Sequence, residues 1–185
     1  MTESRPSEVM AGLGIIQLDD PALRRSTRPL RLPEEAAELG WLVTRLAAVA
    51  DQVQRRYDFT RTGMGIAAPQ IGVDRSVAIF RPPGAAQLVL INPVVLSAEP
   101  AEETGWGEVS EGCLSFFDIR CRVPRPQRIV VLHLAPSGEE LTAAFEAGRL
   151  AGDVLHEIDH LNGVLCLDRM RPDGRIVDAG DPSAS

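Results

Sequence analysis

One segment of the chain carries apolar residues at helical spacing. Between residues 33 and 57, leucine, valine and alanine recur every three or four positions, from Leu39 to Val53. Such a stripe is typical of a helix that buries one face. Pro33 and Glu34 suit the first turn, where a missing N–H is harmless and a negative charge complements the helix dipole. The pattern predicts a core helix over residues 33–57, with no functional role.

Shorter apolar runs bounded by turn residues predict strands. Such runs occupy residues 76–81, 87–92, 94–97, 129–134 and 141–145. The glycine-rich residues 58–75 are predicted to form a loop, and residues 98–110 carry turn-forming and acidic residues. A second helix is predicted over residues 148–162, ending near Gly163. Strands that precede such a helix indicate an α+β domain, with antiparallel sheets packed around a central C-terminal helix.

The two ends of the chain differ in composition from its middle. Residues 1–13 are predicted to be a mobile leader, and residues 171–185 a disordered tail that is polar and contains proline, glycine and serine. Residues 14–170 are predicted to form one domain, which is large enough for a full hydrophobic core.

Composition excludes several classes of protein. The chain has 185 residues, of which 44% are hydrophobic, and a net charge of −7. An acidic chain is a poor partner for nucleic acid, so no direct contact with nucleic acid is expected. No run of 18 apolar residues occurs, so no membrane association is expected. Three cysteines without a signal sequence favour a reducing, cytoplasmic location and no disulfides.

The pentapeptide His-Glu-Ile-Asp-His at residues 156–160 indicates hydrolysis at a metal. On the second predicted helix, His156 and His160 lie four residues apart and therefore share one face. Their imidazoles can hold one metal ion, and Glu157 projects beside them, where it can move protons for an attacking water. The third histidine, His133, lies in a predicted strand and is expected to be structural.

A third protein ligand is expected, because catalytic zinc-type sites usually combine three protein ligands with one open position. Residues 161–185 contain neither Glu nor His, which argues against the downstream ligands of thermolysin-like enzymes and metzincins. The aspartates of this segment lie near or within the polar tail. A cysteine thiolate is the other candidate, and the chain offers Cys113, Cys121 and Cys166.

Two further motifs precede the pentapeptide. Residues 63–70 read Gly-Met-Gly-Ile-Ala-Ala-Pro-Gln, and residues 111–115 read Glu-Gly-Cys-Leu-Ser. Each motif alone is a weak to moderate signal, but the three in this order are specific. Together they resemble the motifs of the peptide deformylase family, and the similarity extends from about Gly14 to about Met170. The resemblance implies the same fold around the C-terminal helix.

The resemblance also implies the metal centre. Cys113 joins His156 and His160 as the third ligand of one divalent ion, and Glu157 is the general base. Fe(II) is implied in cells, although Zn(II), Ni(II) or Co(II) would suit the same donors. The implied reaction removes the formyl group from formyl-methionyl peptides of newly made proteins, with nascent chains at the ribosome as the expected partners.

Other roles follow from the same resemblance. The side-chain amide of Gln70 and the backbone N–H of Leu114 are implied donors to the oxyanion that forms during amide hydrolysis. Two ion pairs are suggested near the site, one between Asp159 and Arg125 and one between Glu111 and Arg120. The implied substrate-binding residues are Gly65, Ile66, Gly112, Gly152 and Asp153.

The chain departs from the family pattern beside these motifs. Leu155 replaces a glutamine, Phe116 and Phe117 follow the cysteine motif, and Gly152 and Asp153 replace residues that help to line the pocket for the first substrate side chain. These changes spare the implied ligands but favour a broadened preference for that side chain. Two alternatives therefore stay open: a related metalloamidase that acts on another N-formyl or small N-acyl substrate, and a catalytically silent relative that binds peptides or ribosomes.

Overall fold

The computed structural model describes residues 4–100, 107–146, 149–172 and 176–178. Within them the chain forms four α-helices: α1 (Pro6–Gly12), α2 (Ala36–Gln54), α3 (Arg149–Leu161) and α4 (Cys166–Arg169). Short 3₁₀ turns span Pro21–Arg24, Ala68–Ile71 and Leu114–Phe116. Among these described residues, no helix has the length and apolar content needed to cross a membrane.

The strands of the described residues pair into three antiparallel sheets of three strands each. The first sheet contains, in this order, β1 (Met64–Ala67), β2 (Val77–Arg81) and β3 (Leu88–Ile91). The second has β7 (Arg128–Leu134) between β4 (Val94–Glu99) and β8 (Glu140–Phe145). The third has β6 (Ile119–Arg125) between β5 (Gly107–Gly112) and β9 (Ile176–Asp178).

Helix α3 is central to this arrangement. It contacts β1 and β2 of the first sheet and β7 and β8 of the second. Its apolar residues Val154 and Ile158 pack with Phe80, Ile129 and Val131. Nine of its residues are buried, among them both histidines of the pentapeptide. The predicted α+β architecture, with antiparallel sheets around a C-terminal helix, is confirmed.

The predicted core helix is also confirmed, although it is shorter than residues 33–57. Helix α2 packs against β1 and β2. Its stripe of apolar residues lies in the main core cluster, with Leu42, Leu46 and Val53 fully buried.

The strands predicted between residues 76 and 145 agree with β2, β3, β4, β7 and β8 to within about two residues, the usual uncertainty of element ends.

Four strands of the described residues, β1, β5, β6 and β9, were not predicted from the pattern. Strand β1 falls inside the predicted loop over residues 58–75, because it has only four residues and one of them is Gly65. Strand β5 has a polar sequence and lies at the end of residues 98–110, of which 101–106 are outside the described residues. In β6, Cys121, Val123 and Arg125 are buried in alternation, but the intervening arginine and proline hide that period.

Both terminal predictions need correction. Residues 6–12 of the predicted mobile leader form α1, which packs against the turn after Cys113 and buries Met10 completely. The backbone N–H of Ser7 donates a 2.9 Å hydrogen bond to Asp118. Residues 176–178 of the predicted disordered tail form β9, paired with β6. The rest of these two predictions, at residues 1–3, 173–175 and 179–185, falls outside the described residues.

Met10 should therefore contribute to stability. We expect Met10→Ala to lower the free energy of unfolding by about 2–5 kcal/mol, because it leaves a cavity in the core. Urea unfolding followed by circular dichroism measures the loss. Leu96→Ala, at a side chain that is 56% exposed, is the control and should change stability by less than about 0.5 kcal/mol. Equal, small effects of both variants would show that α1 is not docked.

Candidate metal centre and active site

Three buried side chains meet between β5 and α3. Cys113 directly follows β5, and His156 and His160 lie one turn apart on α3. Each offers one ligand atom, and the three atoms lie within 4.8 Å of one another. The Cys113 Sγ is 3.2 Å from Nε2 of His160. One thiolate and two imidazoles at this spacing fit a single divalent metal ion.

Glu111 orients the first histidine. Its Oε2 lies 2.9 Å from Nδ1 of His156, which leaves Nε2 available to a metal. Burial alone would lower the pKa of His156, but contacts with Cys113 and Glu111 raise it well above its usual value. Burial lowers the pKa of His160 well below its usual value, so that imidazole is neutral. Binding of a cation at His156 would therefore release a proton.

A second group of possible ligands overlaps the first. Glu111, His156 and Cys166 also bring ligand atoms within 4.8 Å of one another. However, both oxygens of Glu111 already accept hydrogen bonds from Arg125, at 2.6 and 2.9 Å. A hydrogen bond with Cys121 and burial raise the pKa of the Cys166 thiol, which makes it a poor thiolate ligand. The set with Cys113 fits a metal better.

Gln70 is held with its amide nitrogen toward this centre. Its Oε1 accepts a 2.9 Å hydrogen bond from the backbone N–H of Ala67. Its Nε2 donates to Ser115 Oγ at 3.2 Å and to Cys113 Sγ at 3.6 Å. The side chain is 1% exposed, so these contacts fix its orientation. A donor in this place can stabilise an oxyanion beside the metal ligands.

Glu157 lies in close contact with strand β1. A Cβ on Gly65 would overlap the Glu157 carboxylate, so only glycine leaves room for this side chain. Among the described residues, Oε2 of Glu157 has no hydrogen-bond partner. Burial raises the pKa of Glu157 to about 8, close to neutral pH. A buried carboxyl with a pKa near neutrality suits proton transfer in both directions.

Arg125 links the site to the fold. Besides Glu111, its guanidinium donates a 2.7 Å hydrogen bond to Asp159 on α3. The ion pair of Arg125 with Asp159 suggested by the sequence is therefore confirmed. The suggested pair of Glu111 with Arg120 is wrong, because Arg125 occupies both carboxylate oxygens.

A cavity opens onto these groups and contains most of the predicted substrate-binding residues. Leu114, Gly65, Gly112 and Asp153 line it, together with the candidate ligands Cys113 and His156, and with Glu157 and Gln70. Two predicted residues, Ile66 and Gly152, are not part of its lining. Ile66 is fully buried in the main core cluster. A Cβ on Gly152 would lie 3.2 Å from Cγ of Arg125, so this glycine makes room for the arginine and does not widen the cavity.

Some lining residues were not predicted from the motifs. Arg120 and Arg149 bring positive charge to the cavity wall, and Phe59, Met64 and Phe80 are apolar contributors. Arg149 could have been found, because it precedes Asp153 by four residues on the same helix and therefore shares its face. Of the phenylalanine pair that follows the cysteine motif, Phe117 lines the cavity and Phe116 packs in a core cluster with Cys113.

Comparison with known proteins identifies the family. The family model for polypeptide deformylase matches residues 13–175. The chain belongs to the peptide deformylase family. The deformylase of Desulforudis audaxviator is 35% identical over 160 residues, which cover 86% of this chain and 94% of that protein.

Solved deformylases have the same fold. The crystal structure of the Thermotoga maritima deformylase is 32% identical and superposes with a TM-score of 0.71, covering 85% of this chain and 97% of that one. A deformylase from Acinetobacter baumannii, solved with Met-Ala-Ser bound, is 30% identical with a TM-score of 0.71, covering 84% and 96%. The fold of this deformylase is therefore that of the family.

The contact of Gly65 with Glu157 leads to a prediction. We expect Gly65→Ala to displace the carboxylate and to lower deformylase kcat/KM by about 10²-fold or more, the range for loss of a general base. The metal content should stay unchanged, since no ligand moves. Gly40→Ala is the control, because a Cβ there meets no atom within 4 Å. Wild-type activity in Gly65→Ala would show that the close approach is not required.

Proposed function

We propose that this chain removes the formyl group from the N-terminus of formyl-methionyl peptides of newly made proteins and releases formate. One observation carries the proposal: Cys113, His156 and Gln70 face one cavity together with Glu157, in a member of the deformylase family. The silent relative has no support from this geometry, because the groups proposed for the reaction face the same cavity.

The metal would be held by Cys113, His156 and His160. It would supply Lewis acidity toward the formyl carbonyl and would lower the pKa of water. We propose Fe(II) as the ion in cells, although Zn(II), Ni(II) and Co(II) suit the same donors. Glu111 supports this centre by fixing the ring of His156.

The protein residues divide the remaining work. Glu157 takes the proton from the attacking water and passes it to the leaving amine. The Nε2 of Gln70 and the backbone N–H of Leu114 donate hydrogen bonds to the formyl oxygen as it gains negative charge. Each such donor is worth about 3–4 kcal/mol in the transition state of comparable hydrolases.

We further propose that the enzyme acts in the cytoplasm on nascent chains at the ribosome. This follows from the proposed substrate, because new polypeptides carry the formyl group when they leave the ribosome. The net charge of −7 opposes general attraction to RNA. Any approach to the ribosome would then depend on the nascent chain or on a specific protein contact.

A second candidate activity is the hydrolysis of another N-formyl substrate. The observation that favours it is Asp153, a carboxyl on the cavity wall. The chemistry at the metal ligands would be the same, and only the first side chain of the substrate would differ.

Elemental analysis of anaerobically purified protein tests the metal centre. We expect about one divalent ion per chain, in keeping with one set of three ligands. Cys113→Ala should lose most of this metal, because one of its three ligands is gone. Cys166→Ala is the matched variant and should retain the metal. The reverse result would assign the ion to Glu111, His156 and Cys166.

Glu157→Gln separates proton transfer from ligation. We expect this variant to keep its metal and its fold but to lose about 10²- to 10⁴-fold in kcat, since it lacks the general base. Formate release from formyl-Met-Ala-Ser measures the effect. Glu140→Gln, on the exposed side of β8, should behave as wild type. Retention of more than about half of wild-type kcat/KM would exclude Glu157 as the base.

A further inference from the structure

A second cavity adjoins the one at the metal centre. It has a volume of about 840 Å³ and is lined by residues 54–60, at the end of α2 and after it, and by residues 81–85 and 87, at the end of β2 and after it. Three arginines belong to this lining, so we call it the arginine cavity. Phe59 lines both the arginine cavity and the active-site cavity. The two cavities therefore share a wall.

Strand β1 indicates the direction in which a bound peptide leaves the active site. Gly65 closely approaches Glu157, and residues 62–65 line the active-site cavity. In the other direction the chain continues into residues 66–68, which are all fully buried. A peptide bound beside Glu157 can therefore follow the strand toward Gly63 but not toward its buried end.

The arginine cavity begins about two residues along this path. The backbone N–H of Gly63 donates a 2.9 Å hydrogen bond to the carbonyl of Phe59, so the two residues are neighbours. Gly63 and Gly65 are two positions apart, which is at most about 7 Å of extended chain. Arg81 approaches from the other side, because it pairs with Met64 in the sheet. If the first residue of a substrate lies beside Gly65, its third and fourth residues reach the arginine cavity.

Three aromatic rings connect the two cavities. The ring of Phe117, which follows the turn after Cys113, lies 5.0 Å from that of Tyr57 in an edge-to-face contact and 6.1 Å from that of Phe59. Phe117 lines the active-site cavity, and Tyr57 lines the arginine cavity. These contacts join the segment after α2 to the turn beside the metal ligand, and so they hold the two cavities next to each other.

The arginine cavity carries positive charge in an acidic protein. Arg55, Arg56 and Arg81 line it, together with one carboxyl, that of Asp58. Arg81 forms a 2.7 Å ion pair with Asp51. Arg55 and Arg56 are exposed, and neither has an ion-pair partner among the described residues. Two guanidinium groups are thus available to a ligand.

Carboxylates match these groups. The guanidinium presents its N–H donors in a planar fork that fits the two oxygens of a carboxylate. Tyr57, Phe59 and Pro82 also line the cavity, and they suit the methylene groups of a glutamate stem. Apolar side chains could contact the same residues, so negative charge is the property by which this cavity distinguishes peptides. A lysine would be repelled by the arginines.

We propose that the arginine cavity binds acidic side chains at the third and fourth residues of the N-formyl peptide substrate. Methionine remains the first residue, in the active-site cavity, and the reaction is unchanged. This inference rests on the proposed function and adds a downstream binding site to it.

Peptides that differ only in charge test the inference. Formate release is measured with metal-loaded wild type for the amides of formyl-Met-Ala-Glu-Glu, formyl-Met-Ala-Gln-Gln and formyl-Met-Ala-Lys-Lys. We expect kcat/KM to be about threefold to tenfold higher for the glutamate peptide than for the glutamine peptide, the scale of one or two exposed ion pairs. The lysine peptide should be the poorest substrate. The differences should lie in KM, because the contact is remote from the reacting bond, and should fade at about 1 M salt.

A double variant assigns the preference to the cavity. Arg55→Gln, Arg56→Gln should bring the ratio of the glutamate to the glutamine peptide to about one. The charge-matched control is Arg25→Gln, Arg45→Gln, which removes two exposed arginines that line neither cavity and should keep the wild-type ratio. Arginines near the last turn also favour the helix dipole, but loss of that role would lower the melting temperature without changing the ratio.

Binding gives a readout that does not depend on turnover. Calorimetry with the product amides Met-Ala-Glu-Glu and Met-Ala-Gln-Gln should show tighter binding of the glutamate peptide to wild type. This measurement needs no variant to fold.

The outcomes separate the two proposals. Formate release at equal kcat/KM from the glutamate and glutamine peptides would overturn the downstream site but leave the proposed function intact. A ratio that survives in Arg55→Gln, Arg56→Gln, or that is lost equally in the control variant, would also overturn it, the latter in favour of a general effect of net charge. No formate from any peptide would overturn the proposed function and this inference with it.

Discussion

The geometry of the metal centre depends on the burial of one guanidinium, that of Arg125. Its side chain is 1% exposed and holds Glu111 on one side and Asp159 on the other. Through Glu111, Arg125 fixes the ring of His156. Through Asp159, it holds α3 against β6, the strand in which Arg125 lies. Loss of one partner from such a buried pair typically costs about 3–5 kcal/mol, because a charge is left without compensation. Gly152 belongs to the same constraint, since the arginine stem occupies the space that a side chain would need.

Two buried polar atoms without a partner belong to the candidate site. Among the described residues, the buried atoms without a hydrogen-bond partner include Oε2 of Glu157 and Nδ1 of His160. Buried polar groups are nearly always paired in folded proteins, and exceptions call for a ligand, an ion or a catalytic role. Arg125 and Glu111, in contrast, satisfy each other completely. The carboxylate proposed for proton transfer thus keeps one oxygen without a partner among the described residues, whereas hydrogen bonds fix Glu111 and Arg125.

Much of the fold and the site could be predicted from the sequence, for specific physical reasons. The stripe from Leu39 to Val53 has a helical period over about four turns, and the spacing of His156 and His160 requires one helix face. Strand β5 has no such signal, because Val109 is the one apolar residue in its sequence of six. The role of Gly152 could not be predicted either: sequence similarity places it in the substrate pocket, whereas its neighbour in space is an arginine 27 positions earlier in the chain.

The docking of α1 has a consequence for how the enzyme acquires its site during synthesis. The helix near the N-terminus packs on the turn after Cys113, and the two histidine ligands follow more than 40 residues later. Strand β6 gains β9 only from residues 176–178. Contacts between such distant parts of the chain slow folding, because long loops must close before these contacts form. A nascent copy of this enzyme therefore cannot complete the candidate metal site until the chain has left the ribosome at least as far as His160.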